Sequence, residues 1–170
     1  MKFYQLTQER YSLRKFADRP VEEAVLQQIL EAGRTAPSAK NLQPQRIVVI
    51  QSQEALEKIR TFTRNVFNAP VVLLVCGVLE EGWVNPFNGR NSTEMDASIV
   101  ATQMMLQATE LGLGTTWACW FDTEALKPLL NLPQGWEPFL LLPLGYPATE
   151  AKPSASHAQR KELSETVIRL

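Results

Sequence analysis

The segment PVVLLVCGV, residues 70–78, carries no charged or amide side chain at any position. A strand sends alternate side chains to opposite faces, so an apolar run without alternation is stable only where both faces are covered. This segment is therefore expected at the centre of a sheet, with helices packed above and below it. EPFLLLPLGYP, residues 137–147, has the same character and reads as a last core strand. RIVVIQ (46–51) reads as a short buried strand, and TTWACWF (115–121) as a further strand.

Helical patterns lie between these strands. DRPVEEAVLQQILEAG (18–33) has Asp18 and Pro20 at its start, Val25, Ile29 and Ala32 on one face, and Gly33 at its end. SQEALEKIRTF (52–62) is amphipathic, and DTEALKPLLNL (122–132) reads as a short helix. The helix opening at Asp96, DASIVATQMMLQATELGLG, is apolar around most of its circumference and stops at Gly112 and Gly114. Such a helix has to be covered on most sides, by a core or by a second subunit. LEEGWVNPFNGRNSTEM (79–95) reads as an exposed loop. The tail after Ala148 is polar until ETVIRL (165–170), whose alternation reads as a strand that could pair at home or on a neighbouring chain. No repeat or low-complexity linker interrupts the chain, so residues 1–170 are expected to form one domain.

Composition excludes several functions. A formal net charge of -1 argues against a nucleic-acid or anionic-membrane surface. The longest apolar run falls well short of the ~20 residues that span a bilayer. The N-terminus lacks the apolar core of a secretory signal, so the protein is read as cytoplasmic. Cys76 and Cys119 both lie in apolar settings and are expected as packed thiols rather than a disulfide. The one histidine, His157, sits in the polar stretch PSASHAQRKE without a Cys/His cluster, so neither a zinc site nor a Ser-His-Asp triad is expected.

Against this near-neutral background, RYSLRKF (10–16) packs Arg10, Arg14 and Lys15 around Ser12. At helical spacing Arg10 and Arg14 share a face. In an extended stretch Arg10, Ser12 and Arg14 share one. Either geometry converges two guanidiniums and a hydroxyl on a group such as phosphate. The other reading is a solvated basic run. Neither GxGxxG nor GxxxxGK[ST] is present, so a phosphate site here would have to be built from side chains. APSAKNLQPQ (36–45) is a rigid loop with two prolines, and Ser38, Asn41 and Gln43 can donate and accept. By itself it is equally an ordinary helix-to-strand connection. In GLGTTWACWFD (112–122), Trp117 is expected in the core and the glycines at a chain reversal.

Taken in order, R-x-S-x-R, APSAxNxQP, GLGTxW…FD and LGYP resemble the FMN-dependent nitroreductase family, from about Arg10 to Pro147. The resemblance implies an α+β fold in three layers, a mostly antiparallel sheet between helices. It also implies a homodimer with FMN at the interface and a C-terminal strand exchanged between subunits. It places Arg10, Ser12 and Arg160 on the FMN phosphate, and Arg14 on the ribityl chain and the N1/O2 side of the ring. Pro37, Ser38 and Asn41 would reach the flavin from the partner subunit. Cys119 and Trp120 would run past the ring, and Asn68 matches an asparagine near its pyrimidine edge. The sequence departs from the family where Gln45 replaces an aromatic, where Cys119 replaces Gly or Glu, and in being short.

The implied activity is NAD(P)H oxidation through FMN with a nitroaromatic or quinone acceptor, the protein supplying binding, orientation and charge. No motif reading a 2′-phosphate separates NADH from NADPH. The alternatives are an FMN-binding storage or sensing protein without turnover, and an interaction domain without cofactor.

Overall fold

The structure is a computed structural model and describes residues 2–170. Its centre is a four-stranded antiparallel sheet in the order β1-β2-β4-β3, where β1 is Gln45–Ile50, β2 Val71–Val78, β3 Gly114–Thr115 and β4 Trp136–Gly145. The unbroken apolar run is central, as expected. Val71, Leu73 and Val75 face one layer, and Val72, Leu74 and Cys76 the other. Each large apolar side chain so enclosed contributes about 1.5–3 kcal/mol relative to exposure.

On one face lie α2 (Glu23–Arg34) and α4 (Thr93–Glu110), packing Leu26, Ile29, Val100 and Met104 against the sheet. On the other lie α3 (Gln53–Phe62) and α5 (Thr123–Leu129), through Leu56, Ile59 and Leu126. Ser52 caps α3 by accepting from the Ala55 N–H, and Asp122 caps α5 by accepting from the Ala125 N–H. This is the three-layer α+β architecture.

Several local expectations change. A first helix, α1 (Phe3–Glu9), precedes the basic run. The helix expected from Asp18 begins at Glu23, after an extended lead-in containing Pro20. The helix expected from Asp96 begins at Thr93. Asp96 lies buried in its first turn and accepts from Ser92 Oγ and from the Ala39 N–H at 2.9 Å. The strand expected over 115–121 is paired only at Gly114–Thr115 and again at an isolated bridge between Ala118 and Leu141. Thr116 sits between them opposite Pro143, which accepts through its carbonyl but has no N–H to return. Trp117 and Cys119 consequently stand at an open edge: Trp117 is 37% exposed and Cys119 is exposed rather than packed, its thiol accepting from the indole N–H.

ETVIRL is not a strand in this chain. Glu165 and Thr166 close the one-turn helix α6 (Leu163–Thr166), where the Glu165 carboxylate accepts from the Glu162 N–H. Val167, Ile168 and Leu170 follow without a strand partner and are exposed. No helix among the described residues is long and apolar enough to cross a membrane.

The LGYP segment closes the fold at α2. The Tyr146 hydroxyl donates to Glu22 at 2.6 Å, and Arg19 donates to the same carboxylate while lying 3.7 Å from the centre of the Tyr146 ring. The Tyr146 hydrogen bond, then the Arg19 bond, holds the Glu22 carboxyl down to about 2 from an ordinary 4.5. A depressed carboxyl stabilises the fold above its unfolded value and loses that contribution as pH falls through the folded one. Glu22→Gln should therefore lower Tm at pH 7, and its gap from wild type should close between about pH 4.5 and about pH 2. Thermal melts across that range check this; a gap that persists below pH 2 contradicts it.

Burial, and secondarily the charge of Glu137, pushes the Cys76 thiol up to about 12. Cys119→Ser protein should show no reaction with a disulfide reagent at pH 8 until it is denatured.

Candidate functional site

RYSLRKF is extended, and its central leucine holds it in place. The Leu13 N–H donates to the Thr115 carbonyl at 2.9 Å, and the Thr116 hydroxyl donates back to the Leu13 carbonyl. Ser12 bridges Thr115 in parallel fashion, which continues the sheet beyond β3. Leu13 is fully buried, so the alternation of a strand turns Ser12 and Arg14 to the other side.

This approach depends on the glycines that end α4. Gly112, at φ 80, completes a Schellman turn in which Gly112 N–H donates to Thr109 and Leu113 N–H to Ala108. Gly114 serves packing instead: a Cβ there would lie 2.6 Å from Leu13 Cδ2 and 2.8 Å from Leu13 Cβ.

The tail completes the enclosure. After β4 the chain doubles back beside residues 15–17, where Ala17 N–H donates to Tyr146 and Ala148 N–H to Lys15. Residues 154–160 thereby reach the basic run. Arg10, Ser12, Arg14 and Arg160 line a pocket of about 220 Å³ together with Tyr11, Ser154, Ser156 and His157. Arg10 sits half-buried beneath it, its guanidinium 4.0 Å from Met105 Sδ. Burial lowers its pKa from the ordinary value, and the positive charge of Arg160 lowers it further.

No carboxylate lines the pocket among the described residues, and none forms an ion pair with Arg10, Arg14 or Arg160. Three cations, serine hydroxyls and an imidazole converge there without an anion. That donor set suits the oxygens of a phosphate. Among the described residues no His/Cys/Asp/Glu cluster could hold a metal ion.

A second group adjoins the first. The Arg14 guanidinium lies 5.9 Å from the centre of the Phe67 ring, next to Asn68, and both Phe67 and Asn68 adopt positive φ. Asn65 Nδ2 donates to the Trp120 carbonyl at 3.1 Å, which holds the Cys119–Trp120 edge against this turn. Trp120 is 87% exposed.

Pro37, Ser38 and Asn41 lie elsewhere. Their loop is tied by Ala39 to Asp96, whereas Arg10 approaches α4 at Met105. Met105 follows Asp96 by nine residues, about 14 Å along the helix axis. Within one chain, then, the structure unites Arg10, Ser12, Arg14 and Arg160, sets Asn68, Cys119 and Trp120 nearby, and leaves Pro37, Ser38 and Asn41 apart. Sequence reasoning missed Tyr11, Ser154, Ser156 and His157. The available signal was PSASHAQR, a short stretch of hydroxyls, an imidazole and a guanidinium following the last core strand.

A profile of the nitroreductase family matches residues 7–68 and 61–146. The chain belongs to this family. A nitroreductase family protein from Clostridium difficile 630 is similar at 40% identity, with a TM-score of 0.91 over 99% of this chain and 98% of that one. An FMN-dependent nitroreductase from Clostridium difficile R20291 shares 25% identity at a TM-score of 0.76, covering 94% of this chain and 98% of its own. An NADH dehydrogenase of Thermus thermophilus is 32% identical across 86% of this chain and 87% of the relative. The R-x-S-x-R and GLGTxW segments that mark this nitroreductase-family chain are thus the two partners of the Leu13–Thr115 pairing.

Gly114→Ala should separate those partners. The added methyl must displace Leu13, at a cost of about 1–3 kcal/mol. It should weaken binding of inorganic phosphate at the pocket although it removes no polar group. Melting curves and a phosphate titration check this, and a variant that keeps both stability and affinity would contradict it.

Proposed function

We propose that this nitroreductase-family chain is an FMN-dependent NAD(P)H oxidoreductase and that the pocket of Arg10, Ser12 and Arg160 holds the FMN phosphate. The observation that carries the reading is the convergence of Arg10, Arg14 and Arg160 with Ser12, with no counter-anion among the described residues. Bound FMN supplies the chemistry, hydride acceptance at N5 from NAD(P)H and electron delivery to a nitroaromatic or quinone acceptor. The relatives named NADH dehydrogenase and FMN-dependent nitroreductase support both cofactors.

The chain's own groups then divide the work. Arg10, fixed against Met105, and Arg160 neutralise phosphate charge, and Ser12 donates a hydrogen bond. Arg14, between the pocket and the Phe67–Asn68 turn, would reach toward the flavin and supply positive charge for the negative charge that reduction places on it. The edge at Cys119 and Trp120 would border the flavin, its exposed indole offering an apolar surface to an aromatic ligand.

We further propose a homodimer in which Pro37, Ser38 and Asn41 complete the partner's site. The separation of about 14 Å along α4 keeps that loop from Arg10's end of the helix in its own chain. Exposed Met95 and Ile99 on α4, and Val167, Ile168 and Leu170 at the C-terminus, supply apolar surface for a second copy and for strand exchange. Deleting residues 164–170 should weaken dimerisation and FMN retention together. A yellow, monomeric truncation would contradict the exchange.

The purified protein should be yellow, and flavin released by acid should run as FMN on HPLC; FAD alone would overturn the phosphate assignment. Arg10→Ala should cost a charge-assisted bond of about 1.5–3 kcal/mol, roughly a tenfold to hundredfold loss in FMN affinity, with turnover largely kept at saturation. Arg14→Ala should instead lower the flavin midpoint potential and slow single-turnover reduction by NAD(P)H at saturating FMN. Changes within about ±0.5 kcal/mol for both variants would return the run to ordinary solvated surface. Turnover with a quinone or nitroaromatic separates the enzyme from a storage or sensing protein.

A further inference from the structure

The chain's one histidine lies in the same pocket, and its tautomer is restricted. His157 Nε2 is 3.1 Å from the Gln8 carbonyl oxygen. A carbonyl only accepts, so Nε2 carries a proton in that contact, and Nδ1 is the nitrogen left to gain or lose one. The His157 carbonyl in turn accepts from Arg160 at 2.5 Å, and the imidazole meets the Tyr11 ring edge-on at 6.3 Å between centres. Two contacts thus hold the imidazole beside the cations, and the backbone of the same residue engages Arg160.

From this arrangement we propose that His157 is a proton-linked ligand of the phosphate cradle, making cofactor retention depend on pH. The inference rests on the FMN reading above. The charged groups facing the pocket are Arg10 and Arg14 from the N-terminal run and Arg160 from the tail, and Tyr11 is the other titratable group. A fourth cation beside three guanidiniums is unfavourable until an anion is present. A phosphate dianion reverses that field. His157 then takes up one proton at Nδ1 and contributes a positive charge and a second N–H donor. Loss of that proton leaves a lone pair at Nδ1 and removes the charge, so the cradle holds phosphate less firmly as pH rises through the imidazole range. A shift of one pH unit in a linked protonation corresponds to about a tenfold change in affinity between the two limits.

The test uses the purified yellow protein and follows flavin released on dialysis, by its fluorescence, from pH 6 to pH 8.5. The phosphate group of FMN titrates near pH 6, so variants isolate the imidazole's part. Wild type should lose FMN several-fold more readily at pH 8.5 than at pH 6. His157→Gln should release it readily throughout, with a clearly flatter profile. His157→Lys, cationic across the range, should retain it at both ends. Matching release profiles for wild type and His157→Gln overturn the proposal while leaving the FMN reading intact. Failure of His157→Lys to restore retention at pH 8.5 overturns it as well, since charge would then not be what His157 supplies. A wild type without flavin overturns the FMN reading itself, and this proposal with it.

Discussion

The fold depends on burying β2 and β4 on both faces at once. Neither strand offers a polar side to water, so helices must cover each face, and α2/α4 and α3/α5 do so. With the faces closed, the cation-lined pocket forms at a sheet edge. The β3 edge is very short, and the chain lengthens it with Ser12 and Leu13 from the other end of the sequence. Leu13 joins the core as Ser12 and Arg14 turn outward, so the site's orientation is inherited from the core.

Much of this was legible in the sequence, and for physical reasons. An all-apolar run such as residues 70–78 has few stable placements, and a Schellman glycine such as Gly112 marks a helix end from local chemistry alone. Elements whose boundaries depend on distant partners were not legible in the same way. Asp96, read as the start of α4, is instead engaged with the loop at Ala39 inside a helix that starts at Thr93, and Arg19 and Glu22, read as part of α2, are engaged with Tyr146 ahead of it. The strand over 115–121 breaks opposite Pro143, a pairing visible only once register is known.

The site divides along the same line. R-x-S-x-R announced itself through residue type and spacing, whereas the tail entered only through Arg160 and the family resemblance, because polarity alone cannot say that residues 154–160 fold back. The return is decided by backbone bonds between Tyr146 and Ala17 and between Ala148 and Lys15. ETVIRL shows the complementary case. Its alternation is real, but a strand needs a neighbour, and this chain supplies none at that position.

The treatment of charge separates the pocket from the rest of the surface. Several cations elsewhere are paired with carboxylates, among them Arg34 with Glu31, Lys58 with Glu54 and Lys127 with Glu124 and Glu137. Such exposed pairs contribute little to stability. Arg10, Arg14 and Arg160 face one pocket without such a partner among the described residues, and the first of them is half-buried, where desolvation and its like-charged neighbour both oppose its charge. That arrangement costs free energy in the isolated chain. An anion with several oxygens offsets the cost at each cation simultaneously, which a single carboxylate bound to one of them would not. On the proposed reading, the unfavourable charge cluster is itself the means by which the fold would select a phosphate-bearing ligand.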